Sequence, residues 1–239
     1  MNSGKKTVLI SVVGIIVAIG LMVGVGFGVA RRVGNRVRQF DPPRTEESTQ
    51  GGRLIADLVD FDTVYTEGGW TVTILQGDTF RVEVEASEKA LDQMDVFTRG
   101  DTLHLELDSG IQSIAGNLRA TVSLPDLERL RTVGGASISI NGFDLDALEV
   151  VVDGAASIVA RDGTIGDLSI DSDGAASFDF DQVRVANADV DMDGASSLDI
   201  TMDGGALTGV LSGLGNVTFS GPVSEQSIKI DGLGRVRRE

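Results

Sequence analysis

Cysteine is absent from the 239 residues, which excludes disulfides, thiolate metal sites and cysteine nucleophiles. Histidine occurs once, as His104, so any Ser/His/Asp arrangement has to be built on that residue. His104 falls inside the alternating run Leu103 to Leu107 and reads as a solvent-side strand position. Proline is scarce (4), aromatics make up only 5%, and glycine is abundant at 31. Only the start of the chain carries positive charge unopposed by acids. Residues 1–38 hold six of the 20 Lys/Arg and no acid, leaving 14 basic against 36 acidic side chains, a net of −22, beyond them. A field of that sign repels phosphates, so nucleic acid is excluded as a partner. No phosphate-cradling glycine loop occurs, and the residues imply no cofactor.

What is present begins with a membrane signal. Val8 to Ala30 carries no charge and is rich in Val, Ile, Leu and Gly. As a helix it is roughly 34 Å long, enough for a hydrocarbon core of about 30 Å. It is longer than the apolar run of a secretory signal, so an uncleaved anchor is the preferred reading. Gly20, Gly24 and Gly28 fall on one face of that helix and suit close packing against a second membrane helix, including self-association. Lys5 and Lys6 precede the span, while Arg31, Arg32, Arg36 and Arg38 follow it. The positive-inside rule therefore favours a cytoplasmic C-terminus, against other indications given below.

The chain then divides as a short tail (1–7), the anchor (8–30), a basic and then polar linker (31–52) and one domain (53–239). Trp70 to Ile74, Phe80 to Val84 and Leu103 to Leu107 alternate apolar and polar residues and predict strands. Gly77-Asp78 and Gly100-Asp101 mark turns. Ser87 to Met94 predicts one short helix.

The second half repeats. A corner element of Gly-Ala-Ser type starts at Gly134, Gly154, Gly174 and Gly194, with variants at Gly213 and Gly232. The spacings are 20, 20, 20, 19 and 19 residues. Alternating apolar residues flank each corner, for example Leu148, Val150 and Val152 before Gly154, and Ile158 and Ala160 after it. Each unit across 133–236 thus predicts two short strands, a tight corner and a return stretch. A coil of about 20 residues cannot bury its own inward face, so coils must stack. The fold class is all-β, a parallel β-helix or solenoid with ~20-residue coils, preceded by one transmembrane helix. Ser137, Ser157, Ser177 and Ser197 fall in one column. Arg235, Arg237 and Arg238 read as guards on the open end of the stack.

With Phe61 to Val64, Val72 to Asp78, Leu103 to Leu105, Leu124 to Leu127 and the Gly-Ala-Ser corners, the chain resembles the head GIN domain family, labelled as auto-transporter adhesin. The resemblance covers roughly residues 58–233. It implies a right-handed β-helix displayed outside the cytoplasm, which opposes the arginine count, and it supplies no catalytic residues.

Chemistry is sparse. The repeat aligns Asp153, Asp173 and Asp193, with Asp231 further down and Asp171 and Asp191 beside them. These are weak candidates for a cation such as Ca²⁺, whose ligands are oxygens. The nine-residue calcium repeat of other β-rolls is absent. Asn216 opens a glycosylation triplet. The sequence therefore predicts a membrane-anchored, non-enzymatic envelope protein, its domain extracytoplasmic, serving adhesion, scaffolding or binding of a protein or glycan. The alternatives are a carbohydrate-active β-helix enzyme and a sensor signalling through its membrane helix.

Overall fold

The structure, a computed structural model, describes residues 52–107 and 118–239. The anchor at 8–30 with its glycine face, the tail, and nearly all of the linker lie outside the described residues. Among those described, no helix is long and apolar enough to cross a membrane.

The domain is all-β. Its strands are β1 (Arg53–Ala56), β2 (Thr63–Gln76), β3 (Arg81–Glu85), β4 (Met94–Arg99), β5 (Thr102–Leu107), β6 (Leu118–Leu124), β7 (Arg129–Asn141), β8 (Asp144–Met202), β9 (Ala206–Ser220), β10 (Glu225–Gly232) and β11 (Arg235–Arg238), with one short helix α1 (Glu88–Leu91). They form one sheet that does not close, in the order β1-β3-β6-β2-β7-β8-β9-β10.

Two pairing regimes meet at β2. On one side β2 splits at Gly68 and Gly69: Thr63–Glu67 lies parallel to β5, and Trp70–Gln76 lies parallel to β6. β5 and β6 are in turn covered by antiparallel partners, β4 on β5 and β3 on β6, with β1 outermost on β3. The turn from β4 to β5 passes through Gly100 at φ 64, a conformation glycine adopts without strain. On its other side β2 pairs along nearly its whole length with β7, from Thr63 opposite Arg129 to Leu75 opposite Asn141.

From β7 onward every described pairing is parallel. Arg129 faces Glu149 and Asn141 faces Arg161, a constant offset of 20 residues. Ala188 faces Leu207 and Glu225 faces Ala206, offsets of 19 that match the shortened glycine spacing. The constant offset keeps all apolar positions on one face, because the side-chain period of a strand is two. Leu130, Val150, Ile170 and Val190 accordingly lie buried, as do Ile138, Ile158, Phe178 and Leu198. The return stretches are ladder as well: β8 is unbroken, and Thr164 N–H donates to the Phe143 carbonyl at 3.0 Å. Phe143, Leu145, Ile165, Leu168, Val183 and Val185 fill that part of the core.

The predicted helix is shorter than its sequence signal. α1 holds four residues, capped by Ser87 accepting from the Ala90 N–H, and Met94 already belongs to β4. One polar pair lies deep in the core: Thr66 donates to Thr132 at 2.9 Å, and both are buried. A buried hydroxyl without a partner costs about 1–3 kcal/mol, so each threonine secures the other.

Candidate functional site: an acid-lined groove

The repeat glycines stand directly on one another. Gly134, Gly154, Gly174, Gly194, Gly213 and Gly232 all have positive φ, from 93° to 156°. A Cβ on Gly174 would meet the carbonyl oxygen of Gly154 closer than any real Cβ contact, and the same relation holds for Gly194 over Gly174. Backbone torsion and close stacking both demand glycine here. Next to this column stand Asp153, Asp173 and Asp193, all exposed. Register places Val133 opposite Asp153, then Ser212 after Asp193 and Asp231 after Ser212, so the acidic column is bounded by an apolar residue and interrupted by a hydroxyl. Among the described residues, no three His, Asp or Glu converge to hold a metal ion. In the serine column, Ser197 donates to Ser177 at 3.3 Å.

The concave feature of the domain lies elsewhere. A groove of about 870 Å³ runs across successive parallel segments, lined by residues of the Asp62–Thr63, Asp126–Arg129, Asp146–Glu149, Asp167–Ser169, Asn187–Asp189 and Ala206–Thr208 stretches together with Asp101. Eight lining side chains are carboxylates: Asp62, Asp101, Asp126, Glu128, Asp146, Glu149, Asp167 and Asp189. Arg129 is the single cation in the lining, and it is engaged, Nε donating to Glu149 at 2.7 Å. The walls are tied rung to rung. Asn187 donates to Asp167 at 2.9 Å and accepts from the Ala206 N–H at 3.0 Å, and Thr208 donates to Asp189 at 2.9 Å. These groups recur because the 20- and 19-residue offsets of the strand ladder also bring these positions into line. Sequence reasoning misses the acids of the groove, although Glu149 and Asp189, or Asp126 and Asp146, repeat on the period that the glycines announce.

Concave walls lined with one sign of charge concentrate counter-ions and basic groups and raise their encounter rate. The carboxylates displaced upward in pKa lie outside this groove. Asp181 is raised by partial desolvation and by its hydrogen bond and charge contact with Asp179; Asp199 is raised mainly by partial desolvation. Glu83 is held below the ordinary carboxylate range by its ion pair with Arg53, with Arg81 adding.

His104 also lies outside the groove. It sits on the outward face of β5, yet its side chain is only 14% exposed, because Phe97 of β4 stacks on it at 4.7 Å and Glu106 bonds its Nδ1 at 2.8 Å. The outward position follows from strand alternation; the cover comes from β4, an edge strand the sequence does not announce. Tyr65 borders the same cluster at 5.1 Å and is pushed up to about 12 by burial, with its hydrogen bond to Glu67 adding.

The family model described as "Putative auto-transporter adhesin, head GIN domain" matches residues 60–222. The chain belongs to the head GIN domain family. The match runs from the turn before β2 to the turn after β9, so it takes in five of the six stacked glycines, Gly134 to Gly213, and the whole lining of the groove. The crystal structure of a "putative adhesin" from Bacteroides fragilis NCTC 9343 shares the fold, with a TM-score of 0.60 at 14% identity over 78% of this chain and 96% of that one. A "putative adhesin" from Parabacteroides distasonis ATCC 8503 is a looser likeness, with a TM-score of 0.48 at 15% identity over 78% and 96% of the two chains. No curated protein matches this GIN-domain chain.

Proposed function

We propose that the chain is a non-enzymatic envelope protein of adhesion type, its GIN domain (53–239) held by a transmembrane anchor at 8–30 and displayed outside the cytoplasmic membrane. In this reading the parallel strands wind as a right-handed solenoid, each coil laid on the one before. The constant 20- and 19-residue offsets and the stacked glycines support that path. The family's adhesin label supports the location and the role.

The observation that carries the binding role is the groove. Eight carboxylates with one engaged arginine suit a partner that presents Lys or Arg on an elongated surface, with association that weakens as salt rises. The three glycines Gly20, Gly24 and Gly28 would let anchored copies associate within the membrane.

Two experiments test the reading. Protease added to intact spheroplasts should digest residues 39–239; protection until the membrane is broken would reverse the topology. Crosslinking on intact cells, followed by pull-down, should recover a surface partner with the wild-type chain. The triple variant Asp146→Asn, Asp167→Asn, Asp189→Asn should recover it about tenfold less well, since each lost charge contact in such an interface carries up to about 1 kcal/mol. Equal recovery by both chains would remove the groove from the binding role.

A further inference from the structure

The closing rung of the sheet is guarded on one side only. β11 carries Arg235, Arg237 and Arg238, and all three are engaged: Arg235 with Asn216, Arg237 with Glu239, and Arg238 with the Gly221 carbonyl. β10 has no such screen. It pairs with β9 alone among the described strands, so its other edge offers unpaired N–H and C=O groups. Its inward residues Ile228 and Ile230 continue the core columns that pass through Gly209 and Leu211. No described residue pairs beyond them, and Ile230 is 39% exposed. Leu233 at 81% and Leu214 at 57% lie beside this rung, so three of the five exposed large hydrophobics among the described residues gather at one end.

We propose that this edge pairs with itself: β10 lies antiparallel to β10 of a second copy, centred on Ile230. Residues directly opposite in an antiparallel pair share a face, so only registers that set even against even keep the isoleucines together. Within that set charge decides. Centring on Ile228 sets Asp231 against Glu225, centring on Lys229 sets that lysine against itself, and centring on Asp231 does the same for the aspartate. Each puts like charges opposite and is disfavoured. Centring on Ile230 sets the two isoleucines together and places Lys229 of each copy opposite Asp231 of the other. Both residues are exposed and already pair within the strand, so no buried charge has to be created. The contact is two-fold and closes on itself, giving a dimer and not a filament.

β1 and β10 stand at opposite ends of the sheet order. A tail-to-tail pair therefore carries its two β1 strands far apart, as chains held on facing surfaces require. That consequence rests on the envelope reading above; the pairing itself does not.

The chain has no cysteine, so Ile230→Cys introduces the sole thiol. The purified full chain in a mild detergent, treated with a short bismaleimide, should yield a covalent dimer from Ile230→Cys and none from Thr121→Cys on β6. In sedimentation velocity, Lys229→Asp should raise the dimer dissociation constant by about tenfold, since two symmetry-related attractions become repulsions. The reciprocal swap Lys229→Asp with Asp231→Lys should restore it. A chain that stays monomeric, dimers that do not link at position 230, or a Lys229→Asp variant that behaves as wild type would each overturn the pairing. Liposomes bearing the chain form the separate arm. Clumping that Lys229→Asp abolishes supports adhesion between facing surfaces, whereas dimers without clumping leave the pairing standing and remove that adhesive role.

Discussion

The carbonyl oxygen of Gly154 occupies the place where a Cβ on Gly174 would have to go, and Gly174 itself sits at φ 131. Backbone on both sides of the contact means that no side chain can turn aside to make room. Gly174→Val adds a branched side chain in a region of torsion space that L-residues avoid, and forces the two stacked backbone segments apart. The neighbouring Asp173 is exposed and touches nothing that an amide would disturb. Thermal or urea unfolding should show Gly174→Val losing roughly 3–5 kcal/mol or failing to fold, while Asp173→Asn stays within about 0.5 kcal/mol of wild type. Equal losses would mean that the stacked glycines do not limit the packing.

The buried hydroxyl pair of Thr66 and Thr132 makes a different kind of prediction. Thr66→Val alone leaves the Thr132 hydroxyl without its donor and should cost about 1–3 kcal/mol. Thr132→Val alone should do the same to Thr66. The double variant replaces both hydroxyls with methyls of similar shape and should return to within about 1 kcal/mol of wild type. Chemical denaturation of the four chains closes this cycle, and simple additivity of the two losses would deny the hydrogen bond its structural part.

The regularity of the second half is why so much of it is legible in the sequence. A glycine that must sit under a carbonyl recurs in each successive paired segment, so the spacing from Gly134 through Gly232 already states the ladder offset. The first half carries no such mark. The order β1-β3-β6-β2 joins segments far apart in sequence, and alternation alone gives no sign that β6 lies between β2 and β3. β4 escapes sequence reading because an edge strand is only half covered: Met94, Val96 and Phe97 are all partly exposed, and no clean alternation results. Without β4, the stacking of Phe97 on His104 is invisible too. The groove is hidden for a third reason. The aspartates beside the glycines repeat most conspicuously, whereas the acids that line the concavity are divided between connections (Asp62, Asp101, Asp126, Glu128) and the body of β8 (Asp146, Glu149, Asp167, Asp189) and resemble ordinary solvated residues.

Asp199 gives the domain a pH dependence of predictable sign. Asp199 stands at the surface, and its carboxyl titrates above the ordinary range because partial desolvation by the atoms around it disfavours the charged form; Asp179 and Glu239 add to this, and the hydroxyl of Thr218 opposes it. A group whose pKa is raised by folding binds its proton more tightly in the folded state. Its contribution therefore falls as pH rises from the ordinary value of 3.8 through the raised one, and stays unfavourable at neutral pH. Asp199→Asn should melt above wild type at pH 7, and the two should converge near about pH 3, where both forms are uncharged. A variant that melts below wild type at pH 7 would show that the Thr218 hydrogen bond outweighs the desolvation.

Arg238 holds the last inward position of the closing rung. Register places it opposite Phe219, in the column where earlier segments of the ladder carry Ile140, Ala160, Phe180 and Ile200. A guanidinium in that place lies 6.0 Å from the Phe219 ring and donates to the Gly221 carbonyl at 2.9 Å. It covers the aromatic face while keeping its charge in water, which no aliphatic residue would do. Arg235 and Arg237 add two more charges along the same four-residue strand, and edge strands bearing such charges resist pairing with a passing strand. Replacing all three by serine should leave the parallel ladder intact, since each lies beyond the packed core. It should also uncover Phe219 and free the β11 edge. Sedimentation velocity at moderate salt should then show species heavier than any that wild type forms, growing with concentration. The same distribution for both chains would show that β11 needs no guard.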